Sequence, residues 1–284
     1  MQNIAEIRHH TNAAEQTKKI TNAMYLISAA RMNKLIARMS YNTRYLTHVQ
    51  DAMRHVLASC EPENHPYMHE RSSGENTYIV FAGEKGMAGS YHADLLKFAH
   101  ACIREQGLGR VLCFGAIAAN YFRKQGITPA HEYHFSADGP TLESTRHLEQ
   151  DVFRWYDETN AGAVYLIHPR FVSAADCQPH MQRLLPLDVD SFGERTDKEE
   201  MLYHPSAEEM FHLLIPQYSV CILYGALMQT YAGEHSARMY AMQNATKNAD
   251  SLLKELQGQY NMARQSAITQ EIIEITNAVK ALNG

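Results

Sequence analysis

The feature of the sequence that most restricts its fold is a pair of long helical ends. Residues 4–57 contain neither glycine nor proline, and their apolar residues recur at spacings of three and four: Ile20, Met24, Ile27, Leu46, Val49, Met53 and Val56. This pattern predicts one helix of roughly 80 Å at 1.5 Å per residue. A second helical pattern starts after Pro205-Ser206 and carries an apolar stripe from Met242 to Leu282.

The C-terminal stripe is longer than a small globular domain can cover. A helical pattern of more than about 25 residues with such a stripe is typical of a coiled coil. Here the pattern covers about 75 residues, on the order of 110 Å. Two helices of this length bury their stripes most economically against each other. We therefore expect a long antiparallel coiled coil whose protruding parts need a large partner.

The middle of the chain has a different periodicity. Three short apolar runs, Tyr78–Phe81, Val111–Phe114 and Ala163–Ile167, have the composition of buried strands. Helix-like stretches such as His92–Gln106 and Thr141–Thr159 separate them. Alternating strands and helices predict a small, Rossmann-like α/β head with a parallel sheet.

The predicted fold class is therefore α/β, with a parallel-sheet head and an antiparallel coiled coil of the N- and C-terminal helices. The predicted domains are an N-terminal coiled-coil helix at 1–60, the α/β head at 76–195 and a C-terminal coiled-coil helix at 206–284.

Charge is unevenly distributed along the chain. The whole protein has a formal net charge of −5, which argues against a protein that mainly coats nucleic acid. Residues 1–60 nevertheless hold eight Lys and Arg residues against three acids. A partner of the N-terminal end is therefore expected to be acidic.

Cysteine content and hydropathy restrict the cellular compartments in which the protein is expected. The 5 cysteines form no CxxC pair, and their odd number in a chain of this length predicts reduced thiols. No run of 18 or more apolar residues occurs, so we expect no membrane span. No signal or transit peptide is recognisable, which favours a bacterial source.

The segment Gly83–Ser90 follows the first predicted strand, where a phosphate-binding loop would lie. Its glycines have GxxGxxG spacing rather than GxGxxG, and no GK[ST] ending follows. We therefore expect a tight strand-to-helix turn and no bound nucleotide.

The 16 histidines invite a metal interpretation, most of all in the segment His131–His134, with His92, His168 and His180 elsewhere. No HExxH motif and no zinc-finger spacing occurs, so structural or surface roles are favoured. No GxSxG motif is present either. The sequence thus predicts no catalytic residue, no cofactor and no metal ligand.

Three segments carry a family resemblance. Residues 16–24 (QTKKITNAM), 237–249 (ARMYAMQNATKNA) and 260–271 (YNMARQSAITQE) closely resemble the gamma subunit of F-type ATP synthase. Weaker similarities follow in family order at 171–174 and 184–187, and at Tyr203-His204-Pro205-Ser206. The resemblance covers the whole chain and is most specific at its two ends.

The resemblance implies a function and a set of partners. A gamma subunit is the central rotor, whose coiled coil lies inside a hexamer of alpha and beta subunits while its head lies on the c ring beside epsilon. It transmits torque between the ring and the catalytic beta subunits, coupling proton or sodium flow to ATP synthesis or hydrolysis. The implied location is peripheral, on the cytoplasmic face of the bacterial membrane, for a subunit without an active site, cofactor or nucleic-acid partner.

The resemblance also implies roles for individual residues. Those that match the positions contacting the beta-subunit catch loops are Arg264, Gln265, Thr269, Glu271 and Glu274. Met24 and Arg238 match positions near the moving lever of beta, where they tune coupling. Tyr203 and His204 match the foot that meets epsilon and the c ring.

The head departs from the family pattern. The turn at residues 84–90 lacks the Arg, the Cys and one Gly of the family, and Asn22 and His204 replace a Lys and an acid. The small-residue tail of the family is replaced at 276–281. These departures leave open an alternative, a diverged gamma-like scaffold or regulatory protein of another assembly. A third hypothesis, an independent α/β enzyme with helical arms, needs catalytic groups that the head does not display.

Overall fold

The computed structural model describes residues 4–59, 65–69, 71, 74–107, 109–134, 139–188, 192 and 203–282. The helices are α1 (Ile4–Leu57), α2 (Tyr91–Gln106), α3 (Ala116–Lys124), α4 (Leu142–Glu158) and α5 (Ala207–Leu282). The strands are β1 (Thr77–Phe81), β2 (Arg110–Phe114), β3 (His131–Tyr133), β4 (Val164–Ser173) and β5 (Asp176–Leu185). The predicted long helices and α/β alternation are confirmed. Ser206 Oγ accepts a hydrogen bond from the Glu209 amide at 3.2 Å, which caps the predicted start of α5.

The strands form one sheet in the order β3-β2-β1-β4-β5. The first four run parallel, and β5 pairs antiparallel with β4. Neither β3 nor β5 was predicted, and β4 continues to Ser173, beyond the predicted run. The reason is that both missed strands are at sheet edges, where β5 buries only Leu184 and Leu185 and lacks an apolar pattern. Pro179 within β5 is also typical of an edge strand.

The sheet separates two apolar clusters. Every residue of β1 is buried, and its side chains alternate between the two faces. Ile79 and Phe81 pack with residues of α1, α4 and α5. Tyr78 and Val80 pack with residues of α2 and α3. The sheet is therefore covered on both faces, as parallel strands require.

By its internal contacts the chain divides into two compact units. Residues 1–28 and 238–284 form one, called here the coiled-coil unit, and residues 29–237 form the other, called the α/β unit. Both units are built on the same two helices, α1 and α5. The domain limits 1–60, 76–195 and 206–284 remain a prediction from the sequence.

The buried side of α1 follows a seven-residue repeat. Its members are Ile7, Ala14, Thr21, Ser28, Leu35, Asn42, Val49 and Val56, all of them buried except the half-buried Asn42. The predicted stripe is wrong in the first half of the helix, because Ile20 and Ile27 are 60% and 55% exposed. From Ala14 to Ser28 small or polar residues take the inward positions, and Ile20 and Ile27 face outward. A strict seven-residue repeat keeps one face of a helix toward its partner.

In the coiled-coil unit α1 and α5 run antiparallel. Residues later in α1 pair with residues earlier in α5, as three contacts between them record. Arg8 donates to the Tyr260 hydroxyl at 2.9 Å, Lys18 pairs with Asp250 at 2.6 Å, and the Thr21 and Thr246 hydroxyls are 2.8 Å apart. Ile7, Ala14 and Leu256 form the buried apolar cluster. These contacts confirm the predicted antiparallel coiled coil.

The first third of α5 belongs to the core of the α/β unit. Part of α5 has the length and mean hydropathy of a membrane span, 1.4 over 18 residues, and 44% of that window is buried. Phe211, Ile215 and Leu223 are among the most buried residues of the core that covers the sheet. Packing within the α/β unit therefore accounts for the apolar composition of this part of α5.

Candidate partner-binding surface

The last turns of α5 form the most exposed helical segment of the coiled-coil unit. Every described side chain from Arg264 to Val279 is exposed, and this stretch is called here the terminal segment. The inward heptad positions of α5 continue through Met242, Ala249 and Leu256, all buried. One and two heptads later Ala263 is half-buried and Gln270 is exposed. The buried seam therefore ends where the terminal segment begins.

The terminal segment has an apolar stripe of its own. At about 100° per residue, Ile268, Ile272, Ile275 and Val279 lie within about 60° of one another around the helix. These four side chains are 44%, 57%, 62% and 50% exposed. Contiguous exposed apolar side chains are typical of an interaction surface. The sequence predicts that the buried stripe continues through these residues, but Gln270 takes the next inward position, so they lie on another face of α5. Within the described residues this face has no cover.

Polar side chains border the stripe on both sides. By the same angular spacing, Arg264, Glu271 and Glu274 lie along one border, and Gln265 and Thr269 lie along the other. The structure thus places the five predicted catch-loop residues along the two borders of the stripe and not on a single side of the helix. The two borders differ in chemistry, because one is charged and the other offers an amide and a hydroxyl.

Some of these polar groups are engaged within the helix and others are not. The Thr269 hydroxyl donates to the Gln265 carbonyl oxygen at 2.9 Å. The Gln270 amide donates to a Glu274 carboxylate oxygen at 2.8 Å. Within the described part of the chain, the side chains of Arg264, Gln265 and Glu271 have no hydrogen-bond or ion-pair partner. Those three are therefore available to a partner without breaking an existing bond.

The contact between Arg8 and Tyr260 holds α5 against α1 just before the terminal segment. Besides the hydrogen bond, the Arg8 guanidinium lies 5.5 Å from the centre of the Tyr260 ring. The hydrogen bond from Arg8 lowers the pKa of Tyr260, and the same bond raises the pKa of Arg8. An open groove of about 1040 Å³ follows, lined by Ile4, Ile7 and the residues around Met262 and Gln265.

The two predicted lever-facing residues differ in exposure. Met24 is half-buried, so part of its side chain is accessible. Arg238 is 7% exposed and has interactions of its own. Arg238 can therefore affect a partner chiefly through the position of its neighbours, whereas Met24 can touch one directly.

The predicted foot residues lie just before α5, in the α/β unit. Tyr203 is half-buried and packs on the main core, and His204 is exposed. The core anchors the first of these residues and leaves the second to solvent. Their role as a contact site remains a prediction from the sequence.

Glu84, in the turn between β1 and α2, reaches with its side chain to the N-terminus of α3. A Glu84 carboxylate oxygen accepts a hydrogen bond from the Ala116 amide, the first of α3, at 3.1 Å. The other carboxylate oxygen lies 3.2 Å from His134 Nδ1. This carboxylate therefore takes the place that an anion would occupy at the N-terminus of α3. The Lys85 carbonyl oxygen lies 3.2 Å from His92 Nε2.

The candidate metal-binding histidines have structural surroundings. His131 packs edge-on against Trp155 at 5.3 Å, and His168 Nδ1 donates to the Pro169 carbonyl oxygen at 3.0 Å. Burial lowers the pKa of His168 to about 4, so its ring is neutral at pH 7. His180 lies beside it on β5, with the ring centres 5.9 Å apart. Among the described residues, no group of three or more His, Cys, Asp or Glu side chains is arranged to hold a metal ion.

Comparison with known proteins gives consistent relatives. The family model ATP-synt, described as ATP synthase, matches residues 3–282. An ATP synthase gamma chain of Ruminiclostridium cellulolyticum is 32% identical over 292 residues, covering 99% of each chain. One from Acetivibrio thermocellus is 31% identical over 294 residues, covering 99% of this chain and 100% of the relative.

Solved structures share the fold at low sequence identity. A chain of the Euglena gracilis mitochondrial ATP synthase rotor superposes with a TM-score of 0.67 at 14% identity, covering 93% of this chain and 98% of that one. A chain of the Tetrahymena thermophila mitochondrial ATP synthase central stalk and c ring gives 0.61 at 19% identity, covering 80% and 99%. The α/β sheet with long terminal helices is thus a fold shared with these stalk chains.

Proposed function

The chain belongs to the ATP synthase gamma-chain family and is a rotor subunit, and we propose that its terminal segment transmits torque by direct contact with beta subunits. The resemblance found in the sequence is confirmed by this membership. The observation that carries the proposal is the exposure of every described side chain from Arg264 to Val279. Exposing an apolar stripe to water is unfavourable in free energy, and a partner that encloses the helix removes this penalty by burying the stripe.

The two polar borders of the terminal segment give a rotor the asymmetry that it needs. A shaft that is identical on all sides would present the same contacts to each surrounding subunit. Here one border carries Arg264 and Glu271, and the other carries Gln265. As the helix turns, each beta subunit meets a different border in succession, and differential contacts shift its conformational equilibrium. Identical beta subunits are thereby held in different states.

Individual residues have distinct expected roles. Arg264, Gln265 and Glu271 bind catch-loop groups of beta directly, because they have no other hydrogen-bond partner among the described residues. Thr269 and Glu274 exchange their bonds within the helix for bonds to beta during rotation. Such contacts contribute about 1 kcal/mol each when neutral and about 2 when charged.

The start of α1 is expected to contact the levers of beta. Met24 offers a half-buried apolar surface there, and the 8 basic residues of 1–60 attract the acidic levers. Arg238 acts as a positioning residue, because it is buried. Replacing Met24 by Lys adds a charge to the contact and is expected to lower coupling, which is measured as proton pumping at equal ATPase rate.

The foot is expected to contact epsilon and the c ring through Tyr203 and His204. The α/β unit then lies beside the ring, and the protein is peripheral, on the cytoplasmic face of a bacterial membrane. The bacterial gamma chains that it resembles support this location. Alpha subunits complete the enclosing hexamer.

The test is reconstitution of the chain with alpha and beta subunits of its own source, followed by an ATPase assay and, with the membrane sector, a synthesis assay. We expect a stoichiometric complex whose activity depends on this chain. Gln265→Ala is expected to lower coupled synthesis about tenfold, because a partner group loses its hydrogen bond. Arg264→Ala should act in the same direction. Gln150→Ala, an exposed glutamine of α4 in the α/β unit, is the matched control and should leave synthesis unchanged.

Two results would contradict the proposal. If Gln265→Ala unfolds the isolated chain, the residue belongs to the core rather than to a contact. If the chain does not enter the hexamer although its partners are competent, the alternative of a diverged gamma-like scaffold in another assembly is favoured.

A further inference from the structure

A concave pocket of about 400 Å³ lies between α1, α4 and α5 within the α/β unit. Its size falls in the range of about 300–1,000 Å³ that small-molecule sites occupy. The residues that matter for its chemistry are Arg38, Tyr41 and Tyr45 from α1, Arg146 from α4, and Gln217 and Tyr224 from α5. None of them belongs to the terminal segment or to the foot.

The walls of the pocket are aromatic and apolar. Three tyrosine rings contribute, with Leu142 and Val220 beside them. Tyr41 and Tyr45 are 70% and 51% exposed, so much of each side chain is available for contact with a ligand. Both side chains line the pocket and border the space that a ligand would fill.

The polar groups around the pocket have no partner. Within the described residues, Arg38, Arg146, Gln217 and the three tyrosine hydroxyls form no hydrogen bond or ion pair. Asn42 is different, because its amide donates to the Cys221 carbonyl oxygen at 3.0 Å and ties α1 to α5. Among the described residues that line the pocket there is also no Asp or Glu. Two guanidinium groups thus lie at an apolar pocket without a described carboxylate to neutralise them.

We propose that this pocket binds a small amphipathic anion, a molecule with an apolar or aromatic body and one carboxylate or phosphate group. The tyrosine rings would cover the body, and Arg38 and Arg146 would both hold the anionic group through charge-assisted hydrogen bonds. The tyrosine hydroxyls and the Gln217 amide supply further donors. This proposal is independent of the torque proposal, because it concerns other residues.

The test is calorimetric titration of the full chain with three naphthalene probes that share one body and differ in charge. They are 1-naphthoate, the neutral 1-naphthalenemethanol and the cationic 1-naphthylmethylamine. We expect 1-naphthoate to bind at least tenfold more tightly than the other two. Decanoate, titrated in parallel, distinguishes an alkyl acid from an aromatic one as the preferred body, and tighter binding of either anion supports the proposal.

Variants locate the site. Arg38→Gln and Arg146→Gln should each weaken 1-naphthoate binding about tenfold, and the double variant about a hundredfold. Arg104→Gln is the matched control, because Arg104 is an exposed arginine of α2, which packs on the opposite face of the sheet. At a hundred times the dissociation constant, 1-naphthoate should raise Tm by about 5 °C.

Three results would overturn the proposal. The first is that neither anion binds more tightly than 1 mM, which is also the result expected if the pocket serves only as a contact for another protein. The second is equal affinity for all three naphthalenes, which would mean apolar partition without recognition of charge. The third is an Arg38→Gln, Arg146→Gln variant that binds 1-naphthoate as tightly as the Arg104→Gln control.

Discussion

Two stretches of the same helix, α5, have similar apolar periodicity and opposite environments. In the stretch 211–232, Phe211, Leu223 and Met228 are at most 2% exposed. In the terminal segment, Ile272 and Ile275 are 57% and 62% exposed. Hydrophobic periodicity therefore predicts that a helix face has a partner, but it does not tell which chain supplies that partner. The first stretch packs within the α/β unit, whereas the terminal segment is expected to pack against another subunit.

The largest expected effect is a loss of stability when a cavity is created in the buried stretch 211–232. Leu223→Ala should lower the free energy of unfolding of the α/β unit by about 3 kcal/mol, because a fully buried side chain is lost. Trp155, the only tryptophan, packs on the same core, so its fluorescence during urea unfolding reports this unit. A change below about 1 kcal/mol would remove the contrast between the two stretches.

The next largest effect is a pH dependence of stability caused by the buried side chain of Glu149. Burial raises the pKa of Glu149 from 4.5 to about 7, so the folded chain keeps a proton that the unfolded chain releases. The stability contributed by this group is full below pH 4.5 and is lost as the pH rises through about 7. Glu149→Gln should therefore be more stable than the parent at pH 8 by about 2 kcal/mol, and equal to it at pH 4. Urea unfolding at both pH values measures this.

The exposed Glu271 is the control for Glu149. Glu271→Gln should leave the unfolding free energy of the isolated chain unchanged at both pH values, because its side chain lies in solvent. A pH-dependent gain in Glu271→Gln equal to that in Glu149→Gln would show that burial is not the cause.

A substitution in the exposed stripe should affect assembly and leave folding unchanged. Ile272→Ser is expected to change the unfolding free energy by less than about 0.5 kcal/mol. It should weaken binding to the hexamer about tenfold, because the partner loses an apolar contact. Leu213→Ser is the matched control on α5, since Leu213 is 64% exposed and lies in the α/β unit. Equal binding by both variants would argue against the stripe as the contact.

The smallest effect is expected at the ion pair of the coiled-coil unit. Lys18 and Asp250 are 2.6 Å apart, with side chains 43% and 44% exposed. Solvent screens such a pair, so Lys18→Ala should cost less than about 0.5 kcal/mol. Thermal unfolding followed by circular dichroism at 222 nm would test this. A loss above 2 kcal/mol would mean that the coiled-coil unit depends on charge rather than on its buried seam.

Much of the fold was accessible from the sequence because its helices are long and its parallel strands are apolar. The limits of α1 were predicted at the observed residues, and the motif segments identified the family. The inward positions Thr21 and Ser28 could not be recognised, because only tertiary packing makes a polar residue face a helix seam. The edge strand β5 was missed because its polar residues are free to face solvent.

Only part of the candidate surface could be predicted from the sequence. Sequence motifs selected Arg264 and Gln265, and the structure added that both are exposed and unbonded to other described side chains. The burial of Arg238 could not be predicted, since a charged residue in a helix pattern is usually solvated. The pocket beside Arg38 and Arg146 was missed because three helices distant in sequence form it.

The most direct test of the account is amide hydrogen exchange of residues 264–279 in the isolated chain and in its complex with alpha and beta subunits. We predict that in the isolated chain this segment exchanges much faster than residues 211–232, because nothing in the described chain covers it. In the complex its exchange should slow at least tenfold, while residues 211–232 change little. Equal exchange of the terminal segment in both samples would contradict the claim that a partner subunit covers it.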